Sequence, residues 1–121
     1  MKPWIGVDLD GTLAEYHGWR GIDHIGPPIP AMLERVKAWV ASGKEVKIFT
    51  ARVGPQPPDV NVDYIRSVIW NWCEEHVGCA LTVTATKDFG MVELWDDRCV
   101  QVIPNTGIAL QEVAGGEDER A

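Results

Sequence analysis

Strands alternating with helices predict an α/β protein, a three-layer α/β/α sandwich on a mainly parallel five-stranded sheet. Three observations carry that expectation. Short apolar runs, most of them rich in β-branched residues, recur at 5–9, 45–50, 81–85, 91–95 and 100–103. Two stretches with helical spacing, 29–42 and 61–77, lie between the first three runs. The chain has 121 residues, which makes one domain large enough to bury a core without staples.

The first strand is Ile5-Gly6-Val7-Asp8-Leu9, after which the apolar pattern stops at Asp10-Gly11-Thr12, a tight turn. Side chains alternate along a strand, so Asp8 and Asp10 are expected to project to one side at its carboxyl end. Two carboxylates so placed repel unless one is protonated or a cation lies between them, and Mg2+ suits oxygen ligands. Gly11 permits the sharp turn, and the Thr12 hydroxyl then faces an anion. An acidic strand-to-turn junction is the bland alternative.

Residues 13–28 show no clear period and are expected to form a short flap, with Tyr16, His17, Trp19, Arg20 and His24. Ile29–Ser42 reads as a helix with Pro30 in its first turn, a stripe of Leu33, Val36 and Val40, and Gly43 as its stop. Glu45–Thr50 is the second strand, with Val46, Ile48 and Phe49 as core candidates. A proline-rich loop, 51–60, leads to a second helix over about 61–77, buried through Val62, Ile65, Ile69, Trp72 and Cys73. Leu81–Ala85, Met91–Trp95 and Val100–Ile103 complete the five strands. The domain is expected to span 1–114, with 115–121 as a disordered acidic tail.

Composition narrows the class. With 45% hydrophobic and 24% charged residues the chain is globular, and no apolar run approaches the roughly 20 residues that span a bilayer. A cytoplasmic protein without a signal peptide is expected. Cys73, Cys79 and Cys99 are an odd number without metal-ligand spacing and read as small hydrophobes in helix, loop and strand, in a reducing compartment. The net charge is −7. Asp8, Asp10, Asp96 and Asp97 hold four of those charges, and the tail Glu117-Asp118-Glu119-Arg120 adds two more. Little remains for the rest of the chain, and no basic stripe marks a nucleic-acid surface.

In parallel α/β sheets, ligands bind beyond the carboxyl ends of the strands. The second strand ends in Thr50-Ala51-Arg52, the third leads to Lys87, and the fourth ends in Asp96-Asp97-Arg98. Four carboxylates, two hydroxyls, one Lys and two Arg would therefore meet on one edge. Alone, Thr50 reads first as a strand end and Lys87 as a solvated charge, while Arg52 and Arg98 read equally as partners of nearby carboxylates.

These strand ends together resemble the four signature motifs of the haloacid dehalogenase superfamily, mostly Mg2+-dependent phosphatases with a Rossmann-like fold. Asp8-Leu9-Asp10-Gly11-Thr12 is similar to the first motif, Thr50 to the second, Lys87 to the third and Asp96-Asp97 to the fourth. The resemblance covers about residues 4–103. It implies a phosphomonoesterase in which Asp8 is the nucleophile and Asp10 the general acid and base. It also implies that Thr50 and Lys87 hold the phosphoryl oxygens. Mg2+ would be held by Asp8, the Asp10 backbone carbonyl and the Asp96-Asp97 pair, with Asp97 favoured for direct ligation. Gly11, Thr12, Arg52 and Arg98 are candidate substrate-binding residues. Phe49-Thr50-Ala51-Arg52 and Asp96-Asp97-Arg98 further resemble the phosphatase domains of polynucleotide kinase-phosphatases and some deoxynucleotidases.

Neither usual position has room for a cap domain, since Lys87 lies nine residues before Asp96. An open, capless site is expected. Such family members often act on large substrates or borrow a neighbouring subunit as a lid, so a homo-oligomer is one option. The substrate would be a nucleotide, a nucleic-acid 3'-phosphate end or a small phosphometabolite. Competing readings are a receiver-type signalling module, a non-catalytic metal- or phosphate-binding module, and a phosphomutase or phosphonatase. The receiver reading is disfavoured because nucleophile and acid here share one Asp-x-Asp-Gly-Thr segment, and the missing cap disfavours the last.

Overall fold

A computed structural model describes residues 2–115. It is an α/β fold on a parallel four-stranded sheet with three α-helices. The strands are β1 (Trp4–Val7), β2 (Val46–Phe49), β3 (Thr82–Thr84) and β4 (Met91–Trp95), in spatial order β3-β2-β1-β4. The helices are α1 (Pro30–Ala41), α2 (Val62–His76) and α3 (Leu110–Gly115).

Local chemistry accounts for the helix ends. Pro30 opens α1, where its missing N–H removes no intrahelical bond, and Gly43 follows the Ser42 cap at a φ of +85°. Asn61 caps α2 by accepting the Tyr64 N–H at 3.1 Å, and Gly78 turns the chain at its end with a φ of +103°. The proline-rich loop begins with a single 3-10 turn, Ala51–Val53.

The chain steps from β1 to β2 to β3 in one direction. Right-handed crossovers in one direction place their helices on one face. Accordingly, Met32 and Val36 of α1 and Ile65, Ile69, Trp72 and Cys73 of α2 share one core cluster with Ile5, Val7, Val46, Ile48 and Val83. Phe49, expected in the core, is half-buried. Its ring lies 6.5 Å from that of Trp4, and its residue lines the cleft described below. The helix residues of this core come from α1 and α2 alone among the described residues. The β3–β4 connection, residues 85–90, is too short to hold a crossover helix.

Three expectations are corrected. The sheet has four strands among the described residues, not five. Val100–Ile103 does not join it: Val102 makes one antiparallel bridge to Ala109, and Asn105 and Gly107 turn the chain between them with positive φ. Val100 and Val102 are exposed, so this apolar pattern lacks the partner strand that would have made it sheet. Gly115, expected to open the tail, instead ends α3, and residues 116–121 lie outside those described. Cys99, expected in a strand, follows the Asp96 turn and is exposed; Cys73 and Cys79 are also free thiols. Among the described residues no helix is long and apolar enough to cross a membrane.

Candidate active site

The spatial order puts β1 between β2 and β4: the chain runs outward from β1 through β2 to β3 on one side, then returns from β3 to add β4 on the other. The crevice at such a reversal is where α/β sheets bind ligands. Val7 pairs with Trp95, and the Asp8 N–H donates to the Trp95 carbonyl at 2.9 Å. Asp96 therefore follows directly beside Asp8. On the other flank Val7 pairs with Ile48, and the Thr50 N–H donates to the Thr84 carbonyl at 2.9 Å, which brings Thr50 to the same edge.

Asp8, Asp96 and Asp97 form a cluster in which one oxygen of each carboxylate lies within 4.8 Å of the others. Thr12 ties its two halves together. Its hydroxyl lies 3.2 Å from Asp8 Oδ2 and 3.5 Å from Asp97 Oδ1, and it accepts the Asp97 N–H at 3.0 Å. One hydroxyl proton serves one carboxylate at a time, and the shorter contact favours Asp8. Thr12, expected to face an anion, faces protein carboxylates. Gly11 has a φ of +92°, and a Cβ there would run into the Asp97 carboxylate. Only glycine lets the turn take this shape and leaves room for Asp97.

Burial pushes the Asp8 carboxyl up from its ordinary 3.8 to about 7; the Asp96 charge and the hydrogen bond with Asp97 add to this, and the Thr12 hydroxyl opposes it. Three carboxylate oxygens so close suit a hard divalent cation such as Mg2+, which would relieve that repulsion.

Asp10 is placed differently from expectation. β1 ends at Val7, and Leu9–Ala14 is a turn closed by a bridge between Asp10 and Ala14, so the alternation of β1 no longer governs where Asp10 points. Its carboxylate turns to Arg52, whose Nε donates to Oδ2 at 2.7 Å and whose Nη2 donates to Oδ1 at 2.9 Å. The repulsion expected between Asp8 and Asp10 is thereby avoided without a cation. The Asp10 carboxylate lies outside the acidic cluster.

Asp8, Asp10, Thr50, Asp96, Asp97 and Arg98 line one cleft of about 930 Å³. Thr50 is buried, and its hydroxyl accepts the Arg52 N–H at 3.1 Å as the cap of the 3-10 turn. Arg98 is exposed on the wall with no ion pair among the described residues. Its N–H donates to Asp96 Oδ1 at 2.8 Å, closing the turn that presents the pair. Lys87 is exposed three residues past β3 and is not part of the cleft wall.

The flap adds Tyr16 and Trp19 to that wall. It is anchored at its base, where Ala14 bridges Pro28, and by Trp72 Nε1, which donates to the Gly26 carbonyl at 3.0 Å. Tyr64 of α2 donates its hydroxyl proton to Asp23. Between the flap and the Asp10–Arg52 pair lies a smaller cavity of about 120 Å³ lined by His17, Arg20 and His24. Sequence reading missed these anchors, and nothing local signals them: Trp72 and Gly26 are 46 residues apart.

No family model matches the sequence, and no curated protein does. A solved structure of a conserved protein from Bacteroides thetaiotaomicron is similar, with a TM-score of 0.55 and 20% identity over 98% of this chain and 94% of that one. At that identity the likeness speaks for the fold alone.

Proposed function

We infer that this chain is a Mg2+-dependent phosphomonoesterase with a Rossmann-like sheet of the haloacid dehalogenase kind. One observation carries the reading: Asp8, Asp96 and Asp97 converge within 4.8 Å at the reversal point of a parallel sheet, with Thr50 and Asp10 on the same cleft. An acidic cluster there is costly to assemble without a ligand, and a nucleophile beside a cation site is what phosphoryl transfer requires.

In this mechanism an Asp8 carboxylate oxygen attacks phosphorus while the ester P–O bond breaks. The leaving oxygen takes a proton from Asp10, giving an aspartyl-phosphate and the free alcohol. Water then attacks that phosphorus, Asp10 takes its proton, and inorganic phosphate leaves as Asp8 is regenerated. The Thr50 hydroxyl and the Lys87 ammonium would hold phosphoryl oxygens; Lys87 lies outside the cleft wall, so its four-carbon stem would have to swing inward when phosphate binds. Asp8, Asp96 and Asp97, with the Asp10 backbone carbonyl, would hold Mg2+. The bound cation would supply the positive charge that lets an anionic nucleophile meet a phosphate dianion. The open cleft fits a nucleotide, a 3'-phosphate end or a smaller phosphometabolite, and the protein acts in the cytoplasm.

Hydrolysis of an aryl phosphate by the whole chain tests this. Turnover is expected with Mg2+, none with a chelator, and none with Asp8→Asn. Turnover in excess chelator, or in Asp8→Asn, would refute the assignment.

A further inference from the structure

Arg52 does something other than wait for a substrate phosphate. Its side chain is only 5% exposed, and its donors are committed on two sides. Toward the nucleophile strand it makes the two hydrogen bonds to Asp10. Toward the flap, Nη2 donates to the His24 carbonyl at 2.9 Å and Nη1 to the Ile22 carbonyl at 3.4 Å. The Trp19 ring lies over the guanidinium, 4.9 Å from the ring centroid to Cζ. The backbone is pinned as well, because the Arg52 carbonyl accepts from Gln56 Nε2 at 3.2 Å and its N–H is held by Thr50.

A guanidinium is planar with its donors in a fixed fork, so a two-bond pair sets both the place and the rotation of the carboxylate it holds. The same rigid group fixes two flap carbonyls and one flap indole. The flap that lines the cleft and the carboxylate that serves as acid are thus joined through one side chain. We propose that Arg52 is a positioning residue that orients Asp10 for proton transfer and makes that orientation depend on the seating of the flap. The proposal rests on the phosphomonoesterase reading, with Asp10 as proton donor to the leaving oxygen. Proton transfer needs heavy atoms within about 2.6–3.2 Å, so a carboxylate freed to rotate loses this role even when the fold survives.

Leaving-group chemistry separates this role from plain structural support. An alkyl phosphate needs the Asp10 proton as its P–O bond breaks. A dinitrophenyl phosphate expels dinitrophenolate, a stable anion that needs none. The quantity kcat/KM covers only the steps through aspartyl-phosphate formation, so later hydrolysis does not blur it.

The experiment measures kcat/KM of the whole chain in Mg2+ on both substrates, for the parent, Arg52→Gln, Arg52→Lys, Asp10→Asn and the Arg52→Gln/Asp10→Asn double variant. Arg52→Gln is expected to lose about 100-fold or more on the alkyl phosphate and less than about 5-fold on the dinitrophenyl phosphate. Arg52→Lys keeps the charge without the fork. It should show the same selective loss, and it carries the comparison if the glutamine variant fails to fold, as a thermal melt would reveal. The double variant should be no slower than Asp10→Asn on the alkyl phosphate. Equal losses on the two substrates, or additive losses in the double variant, would overturn the positioning role while leaving the phosphatase assignment intact. A parent protein inactive on both substrates would overturn the phosphatase assignment, and this proposal with it.

Discussion

Asp8→Asn should make the metal-free protein more stable while abolishing activity. The Asp8 carboxyl stands at about 7 in the fold against an ordinary 3.8. A fully sheltered group so displaced would carry about 4 kcal/mol, at about 1.4 kcal/mol per tenfold change in proton affinity. Asp8 is only half-buried, and solvent screening reduces that to about 1–2 kcal/mol. The folded state binds this proton more tightly than the unfolded chain does. Above pH 7 the group is ionised in both states and the penalty is complete. It shrinks as pH falls from 7 toward 3.8 and is gone below that. Asparagine has no such charge at any pH. In chelator at pH 8, denaturant unfolding should therefore show the variant about 1–2 kcal/mol more stable, or about 4–8 °C higher in melting temperature. The two proteins should converge near pH 4. Saturating Mg2+ should stabilise the parent more than the variant, because binding offsets the repulsion that only the parent carries. A variant no more stable than the parent at pH 8 in chelator would refute the electrostatic account of the cluster.

Three further outcomes follow from named contacts. Gly11→Ala should lower stability by about 1–2 kcal/mol and remove most activity, since its Cβ meets the Asp97 carboxylate at a φ of +92°; a melt and an activity assay on the same sample check both. Trp72→Phe keeps a ring but leaves the buried Gly26 carbonyl without its donor, which should cost about 1–3 kcal/mol and speed amide exchange in the flap. Lys87 makes no hydrogen bond or ion pair among the described residues. Lys87→Met should shift stability by no more than about 0.5 kcal/mol yet lower kcat/KM by about tenfold or more, and unchanged turnover would remove Lys87 from the site.

The legible parts of this protein were those whose signals act within a few residues. Pro30 and Gly43 bound α1 because a missing N–H and a positive φ are properties of single residues. Asn61 starts α2 through a bond to the amide three positions on. Met91–Trp95 was readable as a strand, and the acidic pair that follows it lies on the cleft with Asp8. That the four carboxylates line one cleft followed from parallel strands alone.

What the sequence could not express was the choice of partner over long separations. Asp10 and Arg52 are 42 residues apart, and Thr12 and Asp97 are 85 apart. Either Asp8 or Asp10 was a chemically sensible mate for the arginine. The turn after Val7 decided the matter by aiming Asp10 at Arg52 and leaving Asp8 with Asp96 and Asp97. Val100–Ile103 has the composition of a strand but, among the described residues, pairs only through the single Val102–Ala109 bridge, and a strand exists only as one member of a hydrogen-bonded pair. Even the proton on Asp8 is a tertiary property, because burial and a charge 88 positions away set it. Backbone preferences are local and were written in the chain; pairings, burial and field are sums over distant groups, and only the folded structure evaluates them.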